Sequence, residues 1–128
     1  NKTALVVRGG WDGHQPLEAT ELFIPFLKDK GYDVRVEEST KIYADAEYMA
    51  GVDLVMQCMT MTTIEKDEFE GLRRAVENGT GMAGWHGGIA DSYRNTSDYL
   101  HLIGGQFAWS PVNPPAVLNG TRQAEAVP

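Results

Sequence analysis

The chain has 128 residues, enough for one domain with a modest core. Its 18 Asp and Glu residues against 11 Lys and Arg give a net charge of -7, which argues against non-specific nucleic-acid binding, because such binding needs cations to neutralise phosphates. The single cysteine, Cys58, excludes an internal disulfide, and no stretch approaches the roughly 20 apolar residues of a membrane span. These features predict a soluble cytoplasmic protein without nucleic-acid or membrane partners.

Four short segments are typical of strands: residues 3–7, 33–37, 52–56 and 81–85. The segments at 3–7 and 52–56 are apolar throughout, as in buried parallel strands, whereas the second alternates valines with charged residues and is expected nearer an edge. Helical patterns separate them, and alternating strands and helices predict a right-handed parallel sheet with helices on both faces. Such sheets bind ligands at the carboxyl ends of their strands. We therefore expect three loops, residues 8–14, 57–63 and 86–95, to lie close together at that edge.

The helical patterns carry two local signals. Apolar residues recur at helical spacing from Leu17 to Leu27, but Pro25 inside this stretch should kink or split the helix. Thr62 and Glu65 have the spacing of a capping box at the start of a later helix. The two signals predict an interrupted first helix and a later helix that begins close to Thr62.

The composition changes at Ser110, after which prolines and polar residues follow without a clear period. Segments of this kind bury too little apolar surface to form a packed core. We expect one α/β domain over residues 1–109 and an irregular, Pro-rich tail over residues 110–128.

Residues 84–88, Gly-Trp-His-Gly-Gly, match a nucleophile elbow, in which small residues let a strand-to-helix turn close tightly and present the central side chain. His86 holds the central position. Histidine is a poor covalent nucleophile there but a good general base, general acid or metal ligand near neutral pH. The alternative is that the glycines only allow the turn and that His86 caps a helix.

Other polar residues are expected at the same edge of the sheet. His14 and Asp12 are placed to meet His86, and two imidazoles with a carboxylate suit a divalent ion such as zinc or manganese; alternatively, His14 is a solvated loop residue. Asp91 and Arg94 follow the elbow. The forked donors of Arg94 suit a sugar hydroxyl or a carboxylate, although the two side chains also have the spacing of a surface ion pair.

The remaining candidates are weaker. Residues 9–14 do not have the spacing of a dinucleotide-binding GxGxxG loop, so no nucleotide is expected. Trp11 and Trp85 suit either stacking on a sugar ring or core filling, whereas Trp109 is interpreted as a core residue. Cys58 is interpreted as a buried free thiol and His101 as a packing or surface histidine.

The stretch from Gly84 to Asn95, continued by Ile-Gly-Gly-Gln-Phe at residues 103–107, resembles the central signature of ThuA-like (trehalose utilisation) proteins. With the opening strand and the loop at residues 9–14, the resemblance covers residues 3–109. It implies a flavodoxin-like three-layer sandwich with a mainly parallel sheet, related to class I glutamine amidotransferases. It also implies a homodimer and a role in trehalose or related disaccharide metabolism through keto-sugar intermediates.

The resemblance also implies a set of site residues. We expect catalytic roles for His86 and Asp91, metal binding by His14 and His86, and binding of a small sugar by Gly10, Trp11, His14, Gly87 and Arg94. Two departures stand out: Ser110-Pro111 replaces the His-Pro pair that is usual in the family, and family members continue well beyond this length. We therefore expect a C-terminally incomplete version of the fold.

Two functions remain open. The first is an enzyme or enzyme-derived domain that modifies a carbohydrate through His86. The second is a non-catalytic binding or assembly module on the same scaffold. A cysteine-dependent glutamine amidotransferase is disfavoured, because Cys58 lies on a different strand from the elbow, and an electron carrier is disfavoured because no Ser/Thr-rich phosphate loop follows the first strand.

Overall fold

The computed structural model describes residues 1–105. Its sheet has four parallel strands in the order β2-β1-β3-β4. Their bounds are β1 (Lys2–Gly10), β2 (Tyr32–Glu37), β3 (Leu54–Thr60) and β4 (Gly81–Gly84). The parallel sheet expected from the sequence is confirmed.

The predicted bounds of the third strand were wrong. We expected residues 52–56, whereas β3 begins two residues later and continues to Thr60. The polar residues Gln57 and Thr60 suggested a loop, but both side chains are fully buried because polar partners within the fold satisfy them. The second loop of the site therefore begins at Met61.

In the described part of the chain, five α-helices connect and cover the strands: α1 (Pro16–Asp29), α2 (Ala46–Ala50), α3 (Lys66–Glu77), α4 (Gly87–Ala90) and α5 (Ser97–Ile103). Helix α1 is not split at Pro25. Ile24 and Leu27 are buried on either side of this proline, whereas Pro25 faces solvent. Packing of the buried face on the sheet thus holds one helix together although the proline cannot donate a backbone hydrogen bond.

The start of α3 also differs from the prediction. The helix begins at Lys66, and the carboxylate of Glu68 accepts a hydrogen bond of 3.1 Å from the backbone N–H of Glu65. The Thr62 hydroxyl instead donates to the carbonyl oxygen of Ser92. The expected box of Thr62 and Glu65 is therefore wrong, and the interaction occurs three residues further along the chain.

The helices form two outer layers. Helix α1 covers one face of the sheet, where Ala4, Val6 and Met56 pack against its buried residues. Helices α2, α3 and α5 cover the other face, where the core includes Leu5 and Val7. Adjacent residues of β1 thus serve opposite layers, as expected for a strand buried on both faces. Within residues 1–105, no helix is both long enough and apolar enough to cross a membrane.

Candidate functional site

The candidate site lies where β1, β3 and β4 end. The backbone N–H of Trp11, just after β1, donates to the carbonyl oxygen of Thr60 at 3.0 Å. His14 Nδ1 lies 2.9 Å from Thr60 Oγ1. β2 and β3 flank β1 on opposite sides, so this crevice is the topological switch point at which open α/β sheets bind ligands. The predicted meeting of the loops that follow these strands is confirmed.

Gly10 is required where the first loop leaves β1. Its φ angle is +79°, and a Cβ atom at this position would lie 2.2 Å from the carbonyl oxygen of Thr60. A side chain would therefore force β1 and β3 apart at the edge of the crevice. The backbone of Gly10 thereby brings the loop of Trp11 and His14 against β3.

The elbow at His86 forms the tight turn that the sequence pattern predicts, and its backbone is strained. His86 has φ 49° and ψ -137°, and it lies between β4 and α4. Non-glycine residues rarely adopt such angles, and they are concentrated at functional sites. His86 is the N-cap residue of α4, but its side chain makes no capping hydrogen bond, so capping does not explain the imidazole. The side chain is exposed at the crevice.

The structure brings the two predicted site histidines together. The ring centroids of His14 and His86 lie 5.1 Å apart with an interplanar angle of 76°. Trp11, which is 50% exposed, lies with its ring 4.9 Å from that of His14. Gly87 lies beneath this group, since a Cβ atom there would come within 2.6 Å of His14 Cε1. His14 is therefore a fixed part of the crevice wall rather than a solvated loop residue.

Asp91 and Arg94 are paired with each other. Arg94 donates Nε to Asp91 Oδ1 at 2.8 Å and Nη2 to Oδ2 at 2.7 Å, and the pKa of Arg94 is raised by these bonds. The Asp91 side chain is 10% exposed and that of Arg94 is 58% exposed. The carbonyl oxygen of Asp91 also accepts from the N–H of Met61, which ties the elbow segment to the loop after β3.

The metal site expected from Asp12, His14 and His86 does not have its third ligand. Among residues 1–105, no group of three or more His, Cys, Asp or Glu side chains is arranged to hold a metal ion. Catalytic zinc usually has three protein ligands. The described residues thus provide a pair of imidazoles, but Asp12 does not complete the set.

A buried polar cluster beneath the elbow was missed from the sequence. We call it the glutamine network; its members are Tyr43, Gln57, Ser92, Tyr93 and Tyr99, and all of them are buried. The hydroxyls of Tyr43 and Tyr93 donate to Gln57 Oε1, and Gln57 Nε2 donates to Ser92 Oγ and Tyr99 Oη at 2.9 Å each. A glutamine next to a buried strand was the one signal that pointed to it.

Of the remaining candidates, Cys58 and Trp85 serve packing. Cys58 is fully buried below α4, and burial raises the pKa of its thiol, which disfavours the reactive thiolate. Trp85 packs on Phe23 with ring centroids 4.9 Å apart. His101 is exposed on α5, which favours the surface interpretation over the packing one. Three predictions lie outside the described residues: Trp109, the boundary at residue 110, and residues 106–107 at the end of the ThuA-like signature.

Comparison with known proteins gives a consistent result. The model of the ThuA family, described as trehalose utilisation, matches residues 3–127. The solved structures include a protein from Bacteroides uniformis ATCC 8492, described as ThuA-like, which matches with a TM-score of 0.65 and 18% sequence identity. The match covers 81% of this chain and 44% of that protein, so the chain spans less than half its length. No curated protein matches the sequence significantly.

Proposed function

The chain belongs to the ThuA (trehalose utilisation) family, and on this premise we propose that it binds a small sugar in the crevice between the ends of β1, β3 and β4. His86 then acts on the bound sugar as a general acid and base. The observation that carries the proposal is the strained elbow, which presents the imidazole of His86 next to that of His14. The role in disaccharide metabolism comes from the family and the site residues from the geometry.

Three features of the crevice suit a sugar. The two imidazoles offer groups that donate and accept hydrogen bonds, as sugar hydroxyls require, and Thr60 Oγ1 holds one of them in place. The half-exposed ring of Trp11 offers an apolar face on which the C–H side of a sugar ring can stack. Because Thr60 engages Nδ1 of His14, a ligand would meet this histidine through Nε2.

The proposed chemistry is proton transfer. The imidazole of His86 accepts a proton from the carbon next to a carbonyl group of the sugar, which leaves an enolate. The imidazolium then returns the proton to the neighbouring carbon of the same sugar. Positioned groups of this kind typically contribute about 10²–10⁴-fold to rate. Asp91 is proposed to support His86 from the elbow segment, while Arg94 contacts the sugar with a donor that its ion pair leaves available.

A divalent metal remains part of the proposal only as an ion that the two imidazoles would bind. His14 and His86 would supply two nitrogen ligands, and a third would have to come from outside the described set. No step of the proposed chemistry depends on a metal.

The second candidate is a binding or assembly module without turnover. The bidentate pair of Asp91 and Arg94 favours it, because this pair engages the carboxylate that would otherwise assist His86. The module would bind the same sugar in the same crevice, or use the fold as part of a dimer. Binding without conversion distinguishes the two candidates.

The test compares two histidine variants against trehalose and its keto derivatives. His86→Ala removes the proposed acid and base, whereas His101→Ala removes an exposed histidine on α5 and serves as the matched control. Calorimetry measures binding, and chromatography measures conversion. Loss of conversion in His86→Ala alone supports the enzyme; binding without conversion by the unmodified protein supports the module. Equal binding and conversion by both variants contradict a role for His86.

A further inference from the structure

We propose that Gln57 is a positioning residue which, through Ser92 and Tyr99, holds the turn that follows His86 and so fixes the elbow. The proposal rests on the proposed function for its catalytic meaning. Its geometry is independent of the sugar, because each link is a hydrogen bond between described residues. Gln57 lies on β3, whereas His86 lies just after β4.

The amide of Gln57 uses all of its hydrogen-bonding positions. Its Oε1 accepts from two tyrosine hydroxyls, and the two hydrogens of Nε2 go to Ser92 Oγ and Tyr99 Oη. The residue is completely buried, so water does not compete for these bonds. The amide plane is therefore determined by four partners.

Ser92 and Tyr99 connect the Gln57 amide to the backbone of α4. Ser92 Oγ donates to the carbonyl oxygen of Gly88 at 3.1 Å, and Tyr99 Oη donates to that of Ile89. Both hydroxyl oxygens accept a hydrogen bond from the Gln57 amide, which leaves their own protons directed at these two carbonyl groups. Gln57 thus determines which way both hydroxyls point.

The two carbonyl groups belong to the turn that closes on the elbow. The N–H of Gly88 donates to the carbonyl oxygen of Trp85, and the N–H of Ala90 donates to that of His86 at 2.9 Å. A helix of four residues has few bonds of its own with which to hold a strained residue at its start. The network beneath supplies the additional restraint that such strain requires.

We call the path from Gln57 through Ser92 and Tyr99 to α4 the relay. Tyr99→Phe and Tyr43→Phe form a matched pair that tests it. Each change removes one buried hydroxyl bonded to Gln57 and keeps the ring. Of these two hydroxyls, only that of Tyr99 also donates a hydrogen bond to α4, at the carbonyl oxygen of Ile89. The hydroxyl of Tyr43 donates to Gln57 Oε1, at the other end of the amide. A purely structural role predicts similar effects of the two variants on the elbow.

The measurements are made by NMR on the full chain. We expect Tyr99→Phe to shift the imidazole resonances of His86 and to accelerate exchange of the Ala90 amide by about tenfold relative to Tyr43→Phe, while both variants lose similar stability. Equal exchange rates and unchanged His86 resonances in both variants would overturn the proposal. If Tyr99→Phe does not fold, Ser92→Ala removes the other link and is judged in the same way.

These readouts separate the relay from the sugar site. A selective effect of Tyr99→Phe on His86, in a protein that binds no sugar, supports the relay and contradicts the proposed function. Sugar binding by the unmodified protein, with no selective effect of Tyr99→Phe, supports the proposed function and overturns the relay.

Discussion

The backbone of His86 offers a direct measurement of strain at the site. Its φ of 49° and ψ of -137° lie in a region that residues with a Cβ atom adopt at a cost of about 1–3 kcal/mol, and that glycine adopts readily. Alanine at this position keeps the cost of the strained backbone, whereas glycine removes it. Glycine also makes the unfolded chain more flexible, which lowers the free energy of unfolding by about 0.4–1 kcal/mol. We expect His86→Gly to be more stable than His86→Ala by about 1–2 kcal/mol, or roughly 4 °C in Tm per kcal/mol.

Urea unfolding followed by circular dichroism gives the free energy of unfolding of both variants. His101 supplies the control, because it lies within α5, where replacing alanine by glycine should cost about 1 kcal/mol. The difference between the glycine and alanine variants should therefore change sign between the two positions. If alanine is the more stable residue at both, the backbone of His86 is not strained and the elbow interpretation fails.

Three further predictions concern the same region. Gly10→Ala should cost more than about 2 kcal/mol in urea unfolding, whereas Gly31→Ala, with a φ of +93° and no atom within 4 Å of its Cβ, should cost less; equal losses contradict the clash with Thr60. Burial raises the pKa of Tyr43, Tyr93 and Tyr99, that of Tyr99 to about 12, so the stability that Tyr99 contributes is complete below about pH 10 and is lost as pH rises through about 12. An ultraviolet titration in which all tyrosines ionise near pH 10 without unfolding contradicts this. Native mass spectrometry before and after chelation should show a dimer whose bound metal is lost in His86→Ala; a metal-free monomer contradicts both the metal site and the dimer.

The arrangement of strands and the elbow could be predicted from the sequence because their signals are local. Short apolar runs indicated the strands, and glycines around His86 indicated the turn, since both depend on residues within a few positions. The meeting of His14 with His86 followed from topology, because parallel strands place their carboxyl ends at one edge.

The features that sequence reasoning missed depend on contacts between distant segments. Glutamine is a polar residue that is common in loops. Its burial in β3 is favourable only because Tyr43, Ser92 and Tyr99 form hydrogen bonds with the Gln57 amide. Pro25 is compatible with α1 because the sheet holds both halves of the helix. The first turn of α3 depends on Glu68, whose carboxylate also accepts from the Thr40 hydroxyl 28 positions earlier in the chain.

Because Cys58 is buried, the reaction of its thiol with a coloured reagent can be used to follow opening of the fold. A thiol reagent such as Ellman's disulfide cannot reach this sulfur in the folded state, because a Cβ atom on Gly88 would lie only 3.1 Å from it and α4 covers it. The rate of colour development therefore measures how often α4 lifts from β3, without any added label. Cysteines introduced elsewhere on the surface would react first, so site-specific probes can be attached without removing the natural thiol.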